Sequence, residues 1–403
     1  MANILNLDSL LKSHNIIKPR REKGSGSITL RKDGTYMGRI TLCGTVKTVY
    51  GKSESEVKRK LTEYRNTVIR GENIVKKIKV NDYIEEWMDT YKRPALKPAS
   101  YDRLERTYNH HIKNSAIGRG QMGNINTRDL QNLINMKSQT LSFSSLKKIY
   151  ELLNSCLNNA KIAHDISYNP MDGVILPKQS NMPIKTKKVT ALTKEECCRL
   201  IAVALENKNN GDPIYHYAPA VLLMLNCGMR SGELLALTWN EVNFSQKLIH
   251  IAQSTCSVVN RSPNIPSKTI RIITDVKTIN GIRDIPLNNQ ALAALERIKD
   301  YNSRHKINSP FVVCTGIGNM VTHRSFQTCL DRLLKRAGLE HIGTHSLRHT
   351  FASILIESDG NIKAVSDLLG HGSSSITYNT YVHTNSNALK KTVQVLDSIY
   401  DTQ

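Results

Sequence analysis

"GTHSLRHTFAS", residues 343–353, sets His345 and His349 four positions apart with Arg348 between them. Residues at that spacing share a helix face, so the two imidazoles look like half of a metal clamp. The arginine argues otherwise, because its guanidinium is always cationic and repels a metal ion brought beside it. Two imidazoles and a guanidinium together suit an anion. On a helix, positions 345, 348, 349 and 352 line one side, which lets His345 and Arg348 point into a common cleft.

The composition points to an anionic partner as well. The 403 residues carry 56 Lys and Arg against 34 Asp and Glu, a net charge of +22. Residues 1–80 hold 18 basic and 7 acidic side chains, so half the surplus lies in a fifth of the chain. That bias indicates a polyanion, most often nucleic acid, although a merely soluble basic surface would share the count. The length allows two to four domains. No apolar run approaches a membrane span and the N-terminus lacks a signal peptide, so a cytoplasmic protein is expected. Eight scattered cysteines form no CxxC pair and read as reduced packing thiols.

Outward from the opening stretch, the chain divides into segments. Residues 1–23 form a basic extension. Residues 24–52 read as three short strands with Asp33-Gly34 and Cys43-Gly44 as turns. Ser53 and Glu56 predict a capping box, and Val57, Leu61, Tyr64 and Val68 recur at helical spacing. Arg31, Lys32, Arg39 and Lys47, interleaved with Tyr36, are candidate DNA contacts of this 24–72 module, since a sheet can enter a groove. Residues 76–174 read as helical, with starts after Pro98 and near Asn126-Thr127, a long helix through residues 145–163, and no catalytic constellation. Residues 175–190, with their prolines and lysines, read as an exposed basic linker. Thr193 and Glu196 predict a second capping box, opening a larger domain over 191–385, and a tail follows at 386–403.

Within 191–385, Arg230 stands where an apolar helix breaks at Gly228 and a second helix begins. A cation there opposes the helix dipole and calls for an anion, either Glu233 or a bound phosphate. The segment TDVKTINGIRDIPL, residues 274–287, reads as a β-hairpin turning at Asn280-Gly281, with Lys277 just before the turn and Lys268 upstream as its rival. In VSDLLGHGSSSITYNTYVH, residues 365–383, a helix ends at Gly370 and leaves His371 at its tip, and Tyr378 and Tyr381 follow.

Taken in order, GMRSGE, Lys277, HSLRH, LLGH and Tyr381 resemble the tyrosine recombinases, the lambda-type phage integrases. The layout of sheet module, helical domain and large C-terminal domain is similar to arm-binding integrases of Gram-positive temperate phages and conjugative transposons. The resemblance implies a multidomain α+β fold: an arm-binding domain of three strands and a helix, a helical core-binding domain, and a mainly helical catalytic domain with a small β-sheet. It implies a site-specific recombinase that cuts and rejoins DNA through a 3′-phosphotyrosyl intermediate and a Holliday junction. In that scheme Arg230 and Arg348 hold the phosphate oxygens, Tyr381 is the nucleophile, Lys277 protonates the leaving oxygen, and His345 and His371 assist. Glu233 and His349 support them. The covalent link conserves the phosphodiester energy, so no metal or other cofactor is expected. Implied partners are double-stranded DNA at core and arm sites, a homotetramer on that DNA, a directionality factor and a host DNA-bending protein. The implied setting is cytoplasmic and nucleoid-associated, with no membrane partner.

Other readings remain open at this point. Type IB topoisomerases share the tyrosine chemistry, and a catalytically degenerate integrase would bind DNA as a repressor. A metal-dependent transposase would need clustered carboxylates, which the sequence does not supply. Tyr378 competes with Tyr381, phage and transposon origins are not separated, and the apolar stripe of the tail suits docking on its own or a neighbouring subunit.

Overall fold

In the computed structural model, the described residues are 26–42, 45–69, 78–185, 190–264, 266–276, 279–358, 360–373, 375 and 377–378. Lys277 and Tyr381 therefore lie outside the described residues, as do the 1–23 extension, Cys43-Gly44 and the tail. The chain forms two compact units, dividing between residues 186 and 187.

The first unit opens with β1 (Ser27–Leu30), β2 (Tyr36–Leu42) and β3 (Thr45–Gly51), an antiparallel sheet in sequence order, covered by α1 (Glu54–Ile69). Alternation along β2 sends Gly38 and Ile40 toward α1, where Ile40 packs with Val57 and Leu61, and leaves Arg39 on the open face. Gly38 has to be small, because a Cβ there would lie 2.4 Å from Val57. The predicted capping box is present in altered form. Ser53 Oγ accepts the Glu56 amide at 3.2 Å, but the Glu56 carboxylate accepts the Lys52 amide, one residue ahead of the cap.

Helices α2 (Val80–Trp87), α3 (Pro98–His111), α4 (Ala116–Arg119), α5 (Thr127–Ser138) and α6 (Phe143–Ile162) follow. Pro98 sits in the first turn of α3, where its missing N–H costs nothing, and Asn126 caps α5 by accepting the Asp129 amide at 3.0 Å. Val80, Ile84, Trp87, Leu130, Ile134, Ile149 and Leu153 build one core. The expected exposed linker begins later than the sequence suggests. Met182 is buried in this helical core, because an apolar side chain spaced among the lysines finds a groove that no local pattern announces.

The second unit is organised around α8 (Ala218–Cys227), buried at every position except Asn226. A helix apolar all round belongs in the middle of a core. Helices α7 (Lys194–Leu205), α10 (Asn289–Arg304), α11 (His323–Arg336) and α12 (Thr344–Glu357) pack around it. Thr193 and Glu196 form the capping box of α7. Short helix α9 (Ser231–Ala236) leads to β4 (Val242–Asn243), β5 (Leu248–Ile251), β6 (Gln253–Val259), β7 (Thr269–Asp275) and β8 (Arg283–Pro286), and α13 (Ile362–Leu369) comes last.

The expected hairpin at Asn280-Gly281 does not form. β7 pairs with β6, from Gln253↔Asp275 to Val259↔Thr269, and β8 pairs with β5, from Leu248↔Pro286 to Ile251↔Arg283. The two stretches flanking Asn280-Gly281 thus extend the same antiparallel partner, 248–259, and the Ile279–Gly281 turn interrupts them. The reversal lies at 260–268, where the Asn260 amide donates to the Lys268 carbonyl at 3.0 Å. Asn-Gly marks a tight turn, but a turn signal does not choose the strands that pair.

α8 ends at Gly228, whose φ of +59° is left-handed and whose position would place a Cβ 2.3 Å from Phe351 of α12. Gly228→Ala is expected to cost about 2–4 kcal/mol, from left-handed strain and overpacking together. Urea denaturation would read it, and a loss below about 1 kcal/mol would show that Phe351 moves aside freely.

Candidate active site

The break at Gly228 turns the chain into extended backbone, so Arg230 becomes the N-cap residue of α9. Its guanidinium is 40% exposed and donates to Glu233 at 2.7 Å, while Glu233 also accepts the Arg230 amide at 2.9 Å. Glu233 is buried, and its other face accepts from Arg283 of β8 at 2.8 Å. Burial alone would push the Glu233 carboxyl up; the hydrogen bond and charge of Arg283, with those of Arg230, outweigh it and hold the group below its usual range. One carboxylate therefore lies between two guanidiniums and leaves net positive charge.

Arg348, in the first turns of α12, is 1% exposed. It donates to the Gly228 carbonyl at 3.0 Å and to the Leu369 carbonyl at the end of α13. α13 stops at Gly370, whose φ of +64° is left-handed, and His371 follows. A Cβ at Gly370 would lie 2.8 Å from the Asn280 carbonyl and 3.1 Å from Arg283, so glycine is required twice over. His371 Nδ1 meets the buried Thr377 hydroxyl at 2.8 Å. When Nδ1 accepts that hydroxyl proton, Nε2 carries the hydrogen and is free to donate to an anion.

The histidines report the positive field. His371 is pushed down to about 4 by burial first, then by the charges of Arg348 and Arg230. His349 is also pushed down to about 4, by burial and then by His345 and Arg348. His345 is exposed by area, yet desolvation by the surrounding protein, followed by Arg348 and Arg230, lowers it too. The His345 and His349 rings stand edge to face, 4.8 Å between centroids. At about 4, His349 and His371 are neutral at pH 7 in the free protein. An anion among the arginines would offset that field and raise them.

Arg230, Glu233, His345, Arg348, His349 and His371 thus belong to one cluster. Tyr378 is 53% exposed, and Lys268 lies on the 260–268 reversal. Arg283 was missed as a site residue. The signal was available: Ile285 faces the core, so alternation turns Arg283 inward as well.

The candidate DNA contacts of the N-terminal sheet divide between its faces. Arg39 is on the open face, and Arg31 lies over the Tyr50 ring, 5.4 Å from its centroid. Tyr36 packs toward α1 instead, Lys47 lies over Tyr64 of that helix at 5.8 Å, and Lys32 sits in the β1–β2 turn.

Two family models match the chain. The phage integrase family matches residues 190–388, and the phage integrase N-terminal SAM-like domain matches residues 79–138. The chain belongs to the phage integrase family. A tyrosine recombinase XerC-like protein of Caldanaerobacter subterraneus subsp. tengcongensis is 26% identical over 407 residues, covering 97% of this chain and all of that one. The probable integrase of prophage ps2 of Lactococcus lactis is 25% identical over 331 residues, 79% of this chain and 83% of its own. Among solved structures, the Tn1549 transposon integrase bound to circular-intermediate DNA superposes with a TM-score of 0.63 at 20% identity, over 79% of this chain and 99% of that one. The lambda integrase tetramer on a Holliday junction gives 0.54 at 14% identity, over 90% and 96%. These likenesses carry the multidomain α+β integrase fold. As a family member the chain is a tyrosine-type site-specific recombinase of a mobile element, a DNA-associated enzyme. No helix among its described residues is long and apolar enough to cross a membrane.

The histidine shifts carry a testable sign. Between pH 6.5 and about 4 the unfolded chain holds protons on His349 and His371 that the folded chain does not, so stability falls as the pH drops through that window. In NMR titrations the His371 resonance is expected to stay neutral down to about pH 4 without DNA and to titrate higher with a bound duplex. An unchanged midpoint on binding would place the phosphate elsewhere.

Proposed function

We propose that this recombinase cleaves DNA with Tyr381 as nucleophile and Arg230 and Arg348 as the phosphate clamp. The observation that carries the reading is the gathering of the Arg230 and Arg348 guanidiniums with the His345 and His371 imidazoles in one cluster, with net positive charge left over. A phosphodiester gathers negative charge on its non-bridging oxygens as the phosphorus becomes pentacoordinate, and fixed guanidinium donors stabilise that charge best. His345 and His371 add hydrogen-bond donors to the same oxygens. Glu233 orients Arg230, and His349 supports His345 from behind.

The Tyr381 oxygen bonds to phosphorus, its proton passes to a nearby base, and the bond to the 5′-oxygen breaks. Lys277 supplies the proton that the leaving oxygen needs. The result is a 3′-phosphotyrosyl link and a free 5′-hydroxyl. Attack of a partner strand's 5′-hydroxyl on that link releases the tyrosine, and two such rounds pass through a Holliday junction. Neither metal nor ATP enters the balance. The assembly we infer is a homotetramer on core sites, with arm sites held by the N-terminal sheet, assisted by a directionality factor and a host DNA-bending protein. In this reading 24–72 is the arm-binding domain, 76–174 the core-binding domain and 191–385 the catalytic domain.

A nicked suicide duplex in EDTA tests the chemistry. The natural protein and Tyr378→Phe are expected to give an SDS-resistant adduct, Tyr381→Phe none, and Arg348→Ala roughly 10²–10³-fold slower capture. Adduct from Tyr381→Phe but not Tyr378→Phe would move the nucleophile, and DNA binding with no adduct from the natural protein would leave a binder without catalysis.

A further inference from the structure

Arg283 stands apart from the residues assigned so far: a buried guanidinium at the start of β8 whose side chain is 6% exposed. Its Nε donates to the Leu368 carbonyl at 2.6 Å and one terminal nitrogen to the Gly281 carbonyl at 3.0 Å. The other donates to Glu233 at 2.8 Å. It therefore touches three elements at once: the last turn of α13, the Ile279–Gly281 turn, and the carboxylate that holds Arg230. Its surroundings leave it little way to reach a substrate.

The same corner shows what it holds in register. Three successive carbonyls at the end of α13 are each taken by a different arginine: Leu368 by Arg283, Leu369 by Arg348, and Gly370 by Arg230 at 3.5 Å. Arg348 is fixed further by the Gly228 carbonyl. Arg230, half open to solvent, depends on Glu233 for its firm contact, at 2.7 Å against 3.5 Å to Gly370. Arg283 anchors Glu233 to α13 and so sets the separation of Arg230 from Arg348.

We propose that Arg283 is a positioning residue that acts through Glu233 to hold the Arg230 guanidinium at the phosphate. The proposal rests on the reading of Arg230 as a phosphate-holding group. A lysine cannot reproduce it, since one ammonium does not span three acceptors in a planar fork. Methionine fills similar space without charge.

A double-mutant cycle on the rate of suicide-substrate capture separates positioning from general damage. Arg283→Met is expected to slow capture about 100-fold, the scale on which a displaced catalytic group acts. In an Arg230→Ala background the same change is expected to cost less than about 3-fold, because nothing remains to be positioned. Losses of equal size in both backgrounds, or no loss in the first, would overturn the proposal. Urea denaturation monitors the fold, and Arg283→Lys, which keeps the charge, is carried through the same cycle if the methionine variant does not fold. If the unsubstituted protein forms no adduct, the recombinase chemistry fails instead. The cycle is then read on the affinity for the nicked duplex by gel shift, where additive losses would still overturn the role of Arg283.

Discussion

The end of α13 is where three arginines of the second unit converge. A helix C-terminus presents carbonyls without intrahelical partners and a partial negative charge. Here the guanidiniums of Arg283, Arg348 and Arg230 occupy three consecutive carbonyls at that end. Each cation thereby gains a neutral dipole as a partner, and three guanidiniums share one carboxylate rather than each having its own. Glu233 is the carboxylate bonded to two of them, and its charge does not cancel both. The arginines stay ordered and close together while keeping the positive field that a phosphodiester requires. A full set of salt bridges would have ordered them and removed the field.

The rest of the unit serves this arrangement. α8 is apolar all round because it is buried on every side, and it ends at Gly228 because Phe351 leaves no room for a side chain. That ending frees the carbonyl that Arg348 uses. Gly370 allows α13 to stop abruptly, and its bare Cα lets the Asn280 carbonyl and Arg283 approach. The depressed histidines follow first from burial and then from the same field, since a further cation among the arginines would cost more than a neutral ring.

Much of this was legible in the residues. Three-strand and helical periodicities, the caps at Asn126 and Thr193, and the breaks at Gly228 and Gly370 all depend on a few neighbouring residues. The clustering of Arg230, His345, Arg348 and His371 was reached through ordered motifs rather than geometry. Where reading failed, the cause was non-local. Asn280-Gly281 has the composition of a hairpin turn, yet 269–275 and 283–286 share a partner, 248–259, instead of pairing with each other. Met182 sits among lysines and prolines, but a core built by distant helices receives it.

The sequence by itself determined where several helices begin or stop, which faces are apolar, how much positive charge the chain carries, and the order of its polar motifs. Those properties follow from bonding and periodicity within a turn or two of chain. The tertiary structure alone decided which remote carbonyls Arg283 and Arg348 meet, and that Glu233 is shared between Arg230 and Arg283. These outcomes depend on which remote carbonyl, carboxylate or side chain comes within hydrogen-bonding or packing distance, and only the folded chain brings residues fifty or more positions apart into contact.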